Sequence, residues 1–257
     1  MKFSVCIDAV YSGADLEESL ASIQKLGFRT FEFWTWWDKD IDRLNEARKR
    51  LGLNISCFCT KFISLVDESQ RAAYLEGLSE SIETAKKLGC TKLITQVGNE
   101  LEGVAREVQR QALTEGLKAG VPMLEEAGIT LLVEPLNLKV DHAGYFLSRS
   151  DEAFEIIREV NSSNVKLLFD IYHQQITEGD LIRSIQANVE VIGHFHAAGH
   201  PGRHELHTGE IHYSAVFEAI RATRYDGDVG LEYFPTEEPE KGLARLTESA
   251  YSAVSEG

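Results

Sequence analysis

The chain has 257 residues, 43% of them hydrophobic and 26% charged, and its 41 Asp and Glu against 26 Lys and Arg give a formal charge of −15. This composition is that of a globular chain able to bury a core, and an acidic balance with no local basic patch argues against nucleic acid and anionic membranes as partners. The N-terminal run MKFSVCIDAV reaches Asp8 too soon for a signal peptide and no segment approaches a membrane span, so a cytoplasmic location is expected.

Apolar, β-branched runs alternate with helical spacing along the whole chain. A strand is expected over 2–8 and a helix over 15–26, then 30–34 with 40–51, 54–60 with 69–88, 92–98 with 104–126, and 130–137 with 150–160. Strands at 165–173, 191–199 and 228–235, with helices at 180–188, 214–222 and 239–254, complete the series. Several helical patterns end in KLGF, RLGL, KLGC or EAGI, where Gly27, Gly52, Gly89 and Gly128 suit left-handed helix ends. Pro122 falls inside the fourth helical pattern and is expected to kink or divide it. Cys6, Cys57, Cys59 and Cys90 form no CxxC pair and read as reduced, buried thiols.

Eight strand-helix units whose strands are nearly continuous in apolar character suggest one (β/α)₈ barrel, a TIM barrel, over residues 1–257. Neither GxGxxG after the first strand nor GxxxxGK[ST] occurs, so no nucleotide cofactor is expected.

In such a barrel the active site collects at the C-terminal strand ends. Four of these ends carry a costly polar residue: Glu134 in LLVEPLN, Asp170 in LLFDIYH, His196 in GHFHAAG and Glu232 in GLEY. Three carboxylates and one imidazole suit one hard divalent ion, Mn²⁺ or Mg²⁺, with Co²⁺ a further option. A buried ionic network with barrel lysines or arginines is the alternative. Five of the eight histidines lie between Gly193 and Glu210. Strand alternation places His194 one layer below His196, in packing or support, while His200, His204 and His207 read as loop residues.

The segments VEPLN, AGYFL, FDIYHQQ, GHFHAAGHPGRHE, HTGEIHY and YDGDVGLEY, in this order, resemble the hydroxypyruvate isomerase family of xylose-isomerase-like TIM barrels, which have ketose 3-epimerase relatives. Before residue 130 the likeness is general. The resemblance implies that Glu134 and Glu232 are both metal ligands and the catalytic acid/base pair, that Asp170 and His196 complete the metal shell, and that His173 and Arg203 hold substrate oxygens. The guanidinium of Arg203 also suits a carboxylate on general grounds, the alternative being a surface ion pair with Glu205 or Glu210. Glu32 and Trp34, with Trp36 and Trp37, are candidates for a pocket wall against substrate, or for packing against loops or a second subunit. Asn99 and Glu100 are further candidates.

The implied activity is metal-dependent isomerisation of hydroxypyruvate to 2-hydroxy-3-oxopropanoate (tartronate semialdehyde) through an enediolate. His196 stands where hydroxypyruvate isomerases usually carry Gln and the 3-epimerases His, so a ketose 3-epimerase or a 2-oxo-tetronate isomerase is the alternative. A non-catalytic sugar-binding barrel is the third reading. The expected partners are a small hydroxy-oxo acid or sugar, and a second copy in a homodimer or homotetramer.

Overall fold

A computed structural model describes residues 1–248. The last six residues of the helix expected over 239–254 lie outside them. Nine parallel strands run in chain order as β1 Lys2–Cys6, β2 Thr30–Glu32, β3 Asn54–Ile55, β4 Phe58–Cys59, β5 Lys92–Thr95, β6 Thr130–Val133, β7 Val165–Asp170, β8 Ile192–Ala197 and β9 Asp228–Leu231. Their spatial order is β3-β2-β1-β9-β8-β7-β6-β5-β4. β3 pairs with β2 and β4 with β5, so the two short segments are halves of one stave. Backbone bonds from Cys59 N to Trp34 O (2.8 Å) and from Thr60 N to Ile94 O (2.8 Å) close the ring there. The nine segments thus make the eight staves that the apolar runs predict.

Side-chain alternation divides each stave between two environments. Leu93, Leu131, Leu167, Phe195 and Val229 belong to the large core beneath the helices. Cys57, Cys59, Ile94, Leu132 and Leu168 form a separate buried cluster inside the barrel. Glu134, Asp170, His196 and Glu232 continue the inner set toward the strand C-termini.

The helices end as their glycines predict. Gly52, Gly89 and Gly128 take φ of 65°, 64° and 64° and return their N–H groups to the last turn. Asp15 and Asp40 cap two helix starts with their side chains. Pro122, however, does not divide its helix, which runs from Arg106 to Ala127. The missing N–H costs one hydrogen bond, and burial of Leu113, Leu117 and Leu124 along the same helix outweighs it. The stave expected over 165–173 also stops early: at Asp170 the side chain accepts from Tyr172 N and His173 N and starts a helix, Ile171–Thr177.

Past β8 the chain folds back on itself, with Gly199 and His204 exchanging backbone bonds of 2.7 and 3.2 Å and Glu210 N reaching His200 O at 2.7 Å. Gly209 has φ 85°, and a Cβ there would stand 2.0 Å from His200 O. Gly209→Ala is expected to cost about 1–3 kcal/mol. A thermal melt of the variant that matches wild type would show that this loop is not held as described.

Candidate active site

The four expected ligands meet. One donor atom from each of Glu134, Asp170, His196 and Glu232 lies within 4.8 Å of the others, and all four residues are buried. Asp170 and His196 are register partners on β7 and β8. Glu134 and Glu232 each follow their strand by one residue and are tied to the neighbouring stave through Thr95 O (3.3 Å) and Ala197 O (3.1 Å). Asp170 spends Oδ1 on its helix cap, at 2.7 Å from Tyr172 N and 3.1 Å from His173 N. Its other oxygen, Oδ2, faces Arg203 and His173, each at 3.5 Å.

Burial makes three carboxylates at this separation expensive unless positive charge joins them. His196 Nδ1 approaches Glu134 Oε1 at 3.5 Å and Glu232 Oε2 at 3.2 Å, yet it has no aligned hydrogen-bond partner. Once free of its proton, that nitrogen together with the three carboxylates makes a donor set that fits a divalent ion.

The two glutamates differ sharply. Burial, with repulsion from Glu232 and Asp170, raises Glu134 to about 7 against the pull of His196. Burial also works against the charge of Glu232, but His196 and Arg203 outweigh it and hold that carboxyl well below the ordinary range. Trp34 Nε1 adds a 2.6 Å hydrogen bond to Glu232 Oε1. Arg203 bonds Glu232 through its guanidinium and stacks over the Tyr172 ring at 5.2 Å.

A cavity of about 330 Å³ opens onto Glu134, His196 and Glu232 and is lined further by Trp34, Phe62, Phe234, His142, His173 and Arg203. Asn137 donates to His173 Nδ1 from its side chain at 2.7 Å and from its backbone at 3.3 Å. This leaves Nε2 as the protonated nitrogen, and burial and Arg203 push the imidazole well below its usual value. His173 is therefore a neutral N–H donor.

Arg203 does not form the surface pair considered for it. Glu205 instead binds Thr236 through its backbone N–H (2.8 Å) and hydroxyl (2.9 Å).

Glu32 corrects the expectation of a pocket wall, for it is 1% exposed and lies behind His196 rather than on the cavity. His194 lies in the deeper layer with it. Burial opposes ionisation of Glu32, but His196 and His194 outweigh it and hold the carboxyl down at about 2, whereas burial pushes His194 below its usual value against the pull of Glu32. Trp36 packs on Ser81 and Lys61, and the exposed Trp37 sets its ring edge-on to Phe62. Asn99 forms a bridge with Tyr145 and Glu100 is exposed near Arg106, so neither lines the cavity.

Several site residues escaped the sequence reading. Asp8 accepts from Trp34 N at 2.7 Å and fixes the backbone that carries that indole. Tyr145 hydroxyl donates to Glu134 O at 3.0 Å and accepts from Val97 N at 2.7 Å, fixing the backbone under the carboxyl. The usable signal for Asn137 was its place in EPLN, one stave end away from the DxxH of His173.

The raised Glu134 has a consequence for stability. The unfolded chain releases this proton near the ordinary value of 4.5 and the folded chain only near about 7, so the folded state holds more protons in that window and loses stability as pH rises through it. Glu134→Gln removes this loss. In chelator-treated protein the wild-type melting temperature should fall relative to that of the variant between about pH 5 and pH 8, and parallel curves would refute the assignment.

Comparison with known proteins agrees with the fold. The family model described as xylose isomerase-like TIM barrel matches residues 20–249. Hydroxypyruvate isomerase of Escherichia coli (strain K12) is 30% identical over 252 residues, covering 95% of this chain and 97% of that protein. The 2-oxo-tetronate isomerase of Cupriavidus necator is 29% identical over 253 residues, with 95% and 97% covered. A solved structure described as an AP endonuclease, family 2, from Brucella melitensis superposes with a TM-score of 0.91 at 28% identity, over 96% of this chain and 98% of that one. An L-ribulose 3-epimerase superposes with a TM-score of 0.79 at 26% identity, over 97% and 87%. The chain therefore belongs to the xylose isomerase-like TIM barrels and, among them, to the hydroxypyruvate isomerase family of isomerases.

Proposed function

We propose that this isomerase interconverts hydroxypyruvate and 2-hydroxy-3-oxopropanoate, and that Glu134, Asp170, His196 and Glu232 hold one divalent ion, Mn²⁺ or Mg²⁺. The reading rests chiefly on two glutamates that share one imidazole while their surroundings drive their proton affinities in opposite directions. When bound, the ion supplies Lewis-acid polarisation of the substrate carbonyl and its neighbouring hydroxyl. In the forward direction Glu232, kept ionised, takes a proton from C3 and a C2=C3 enediolate forms. The other glutamate, Glu134, delivers a proton to C2, while the hydroxyl proton on O3 passes to O2. Two carboxyls serve because the proton leaves one carbon and returns at the next.

Arg203 and the His173 N–H orient the substrate's carboxylate and oxygens. Trp34 and Phe234, with rings 6.3 Å apart, cover the cavity and restrict water. A second reading, 3-epimerisation of a ketose, draws on His196 and on the likeness to L-ribulose 3-epimerase. The 2-oxo-tetronate isomerase relative points to a four-carbon acid.

Stripping the enzyme with a chelator should abolish turnover of hydroxypyruvate, and Mn²⁺ or Mg²⁺ should restore it. By ¹H NMR in deuterated buffer the restored enzyme should place deuterium on carbon. Glu134→Gln and Glu232→Gln should each lower kcat about 10²–10⁴-fold; wild-type rates in both would refute the acid/base assignment. Arg203→Lys should raise KM for the hydroxy-oxo acids far more than for neutral ketoses. A ketose turned over with higher kcat/KM than hydroxypyruvate or 2-oxo-tetronate would put the epimerase reading first.

A further inference from the structure

We propose that Glu32 is a positioning residue that grips the His196 imidazole from behind and directs Nδ1 into the carboxylate cluster. The inference rests on the reading of that cluster as a metal site. His196 faces carboxylates on both sides. Nδ1 looks toward Glu134 and Glu232, while Nε2 lies 2.9 Å from Glu32 Oε1. The contact is angled, and neither atom has a hydrogen-bond partner elsewhere among the described residues. Glu32 Oε2 is fixed in turn by His194 Nε2 at 3.1 Å, and Cys57 Sγ lies 3.6 Å from both.

This arrangement requires a built passage. Glu32 stands on β2 and His196 on β8, with β1 and β9 between them, so the carboxylate must cross the barrel interior. The register partner of His196 on β9 is Gly230. A Cβ at that position would stand 2.1 Å from Glu32 Oε1 and 2.6 Å from His196 Cδ2. The absent side chain is thus the space in which the two groups meet.

Glu32, His194 and His196 are at most 1% exposed, so substrate does not reach the contact. A carboxylate that takes the outer N–H of an imidazole fixes which nitrogen carries the lone pair and how the ring is turned. Glu32 sets that choice for His196, and His194 keeps Glu32 from swinging away.

Mn²⁺ alone, titrated into chelator-treated protein and followed by EPR of the free ion, tests the proposal. One equivalent should bind to wild type, Glu32→Gln should weaken it about 10- to 100-fold at the same stoichiometry, and Cys57→Ser should leave it within about twofold. Mg²⁺-saturated wild type labelled with ¹⁵N-histidine needs no variant, and should show His196 protonated at Nε2 and bare at Nδ1. Equal affinity in Glu32→Gln, or a proton on Nδ1, overturns the proposal. So does a second equivalent of Mn²⁺ that disappears in Cys57→Ser, since Glu32 would then ligate an ion of its own. Wild type that takes no Mn²⁺ at all refutes the metal reading itself, an outcome separable from the others because it precedes any comparison with the variant.

Discussion

Three buried carboxylates crowd one imidazole at the mouth of this barrel, and their mutual repulsion is the constraint from which the rest of the site follows. Water does not screen it, so positive charge must be brought in and held. Arg203 brings one guanidinium, bonded to Glu232 and 3.5 Å from Asp170. His196 brings an imidazole that both Glu32 and the cluster keep charged in preference to neutral, against the cost of burial. Burial and its like-charged neighbours raise the proton affinity of Glu134, which lessens the remaining negative charge. Each of these is a different answer to the same electrostatic problem.

The fold makes those answers possible by fixing backbone before side chains. Alternation along parallel staves delivers Asp170, His196 and Glu232 to one side of the sheet without any loop search. The cap on Asp170 then pins one carboxylate rotamer, and Tyr145 pins the carbonyl of Glu134. Positions supported in this way need little reorganisation when charge moves, which is the property an acid/base site requires.

Much of this was legible in the chain. The eight staves appear as apolar runs, and the four cluster residues stand out because a Glu, Asp or His at the end of such a run is a costly choice. Glu32 was misplaced because a charged residue in FEFW looks the same whether it lines a pocket or lies under it; only three-dimensional packing, with Gly230 opening the interior, separates the two. His173 was assigned to a strand because LLFDIYH is apolar or aromatic on both sides of Asp170. The local hydrogen bonds of Asp170 override that propensity and turn the chain into a helix. Asp8, Asn137 and Tyr145 act through hydrogen bonds to residues distant in sequence, for which periodicity carries no signal.

The inequality of Glu134 and Glu232 has a topological origin. Both carboxyls touch His196 Nδ1 at similar distances, so the imidazole alone would treat them nearly alike. The loop after β8 breaks the symmetry by leaning toward β9, where Phe234 N bonds Arg203 O at 2.8 Å. Arg203 is held there at φ 57°, a left-handed conformation that an arginine adopts at a cost, and the loop's own backbone bonds sustain it. Its guanidinium therefore lands on Glu232, beside the Trp34 donor, and leaves Glu134 with burial and like charges for company. The arginine of one loop thus lowers the proton affinity of Glu232 and leaves that of Glu134 raised, and under the proposed mechanism that difference is what would let the pair take a proton at one carbon and return one at its neighbour.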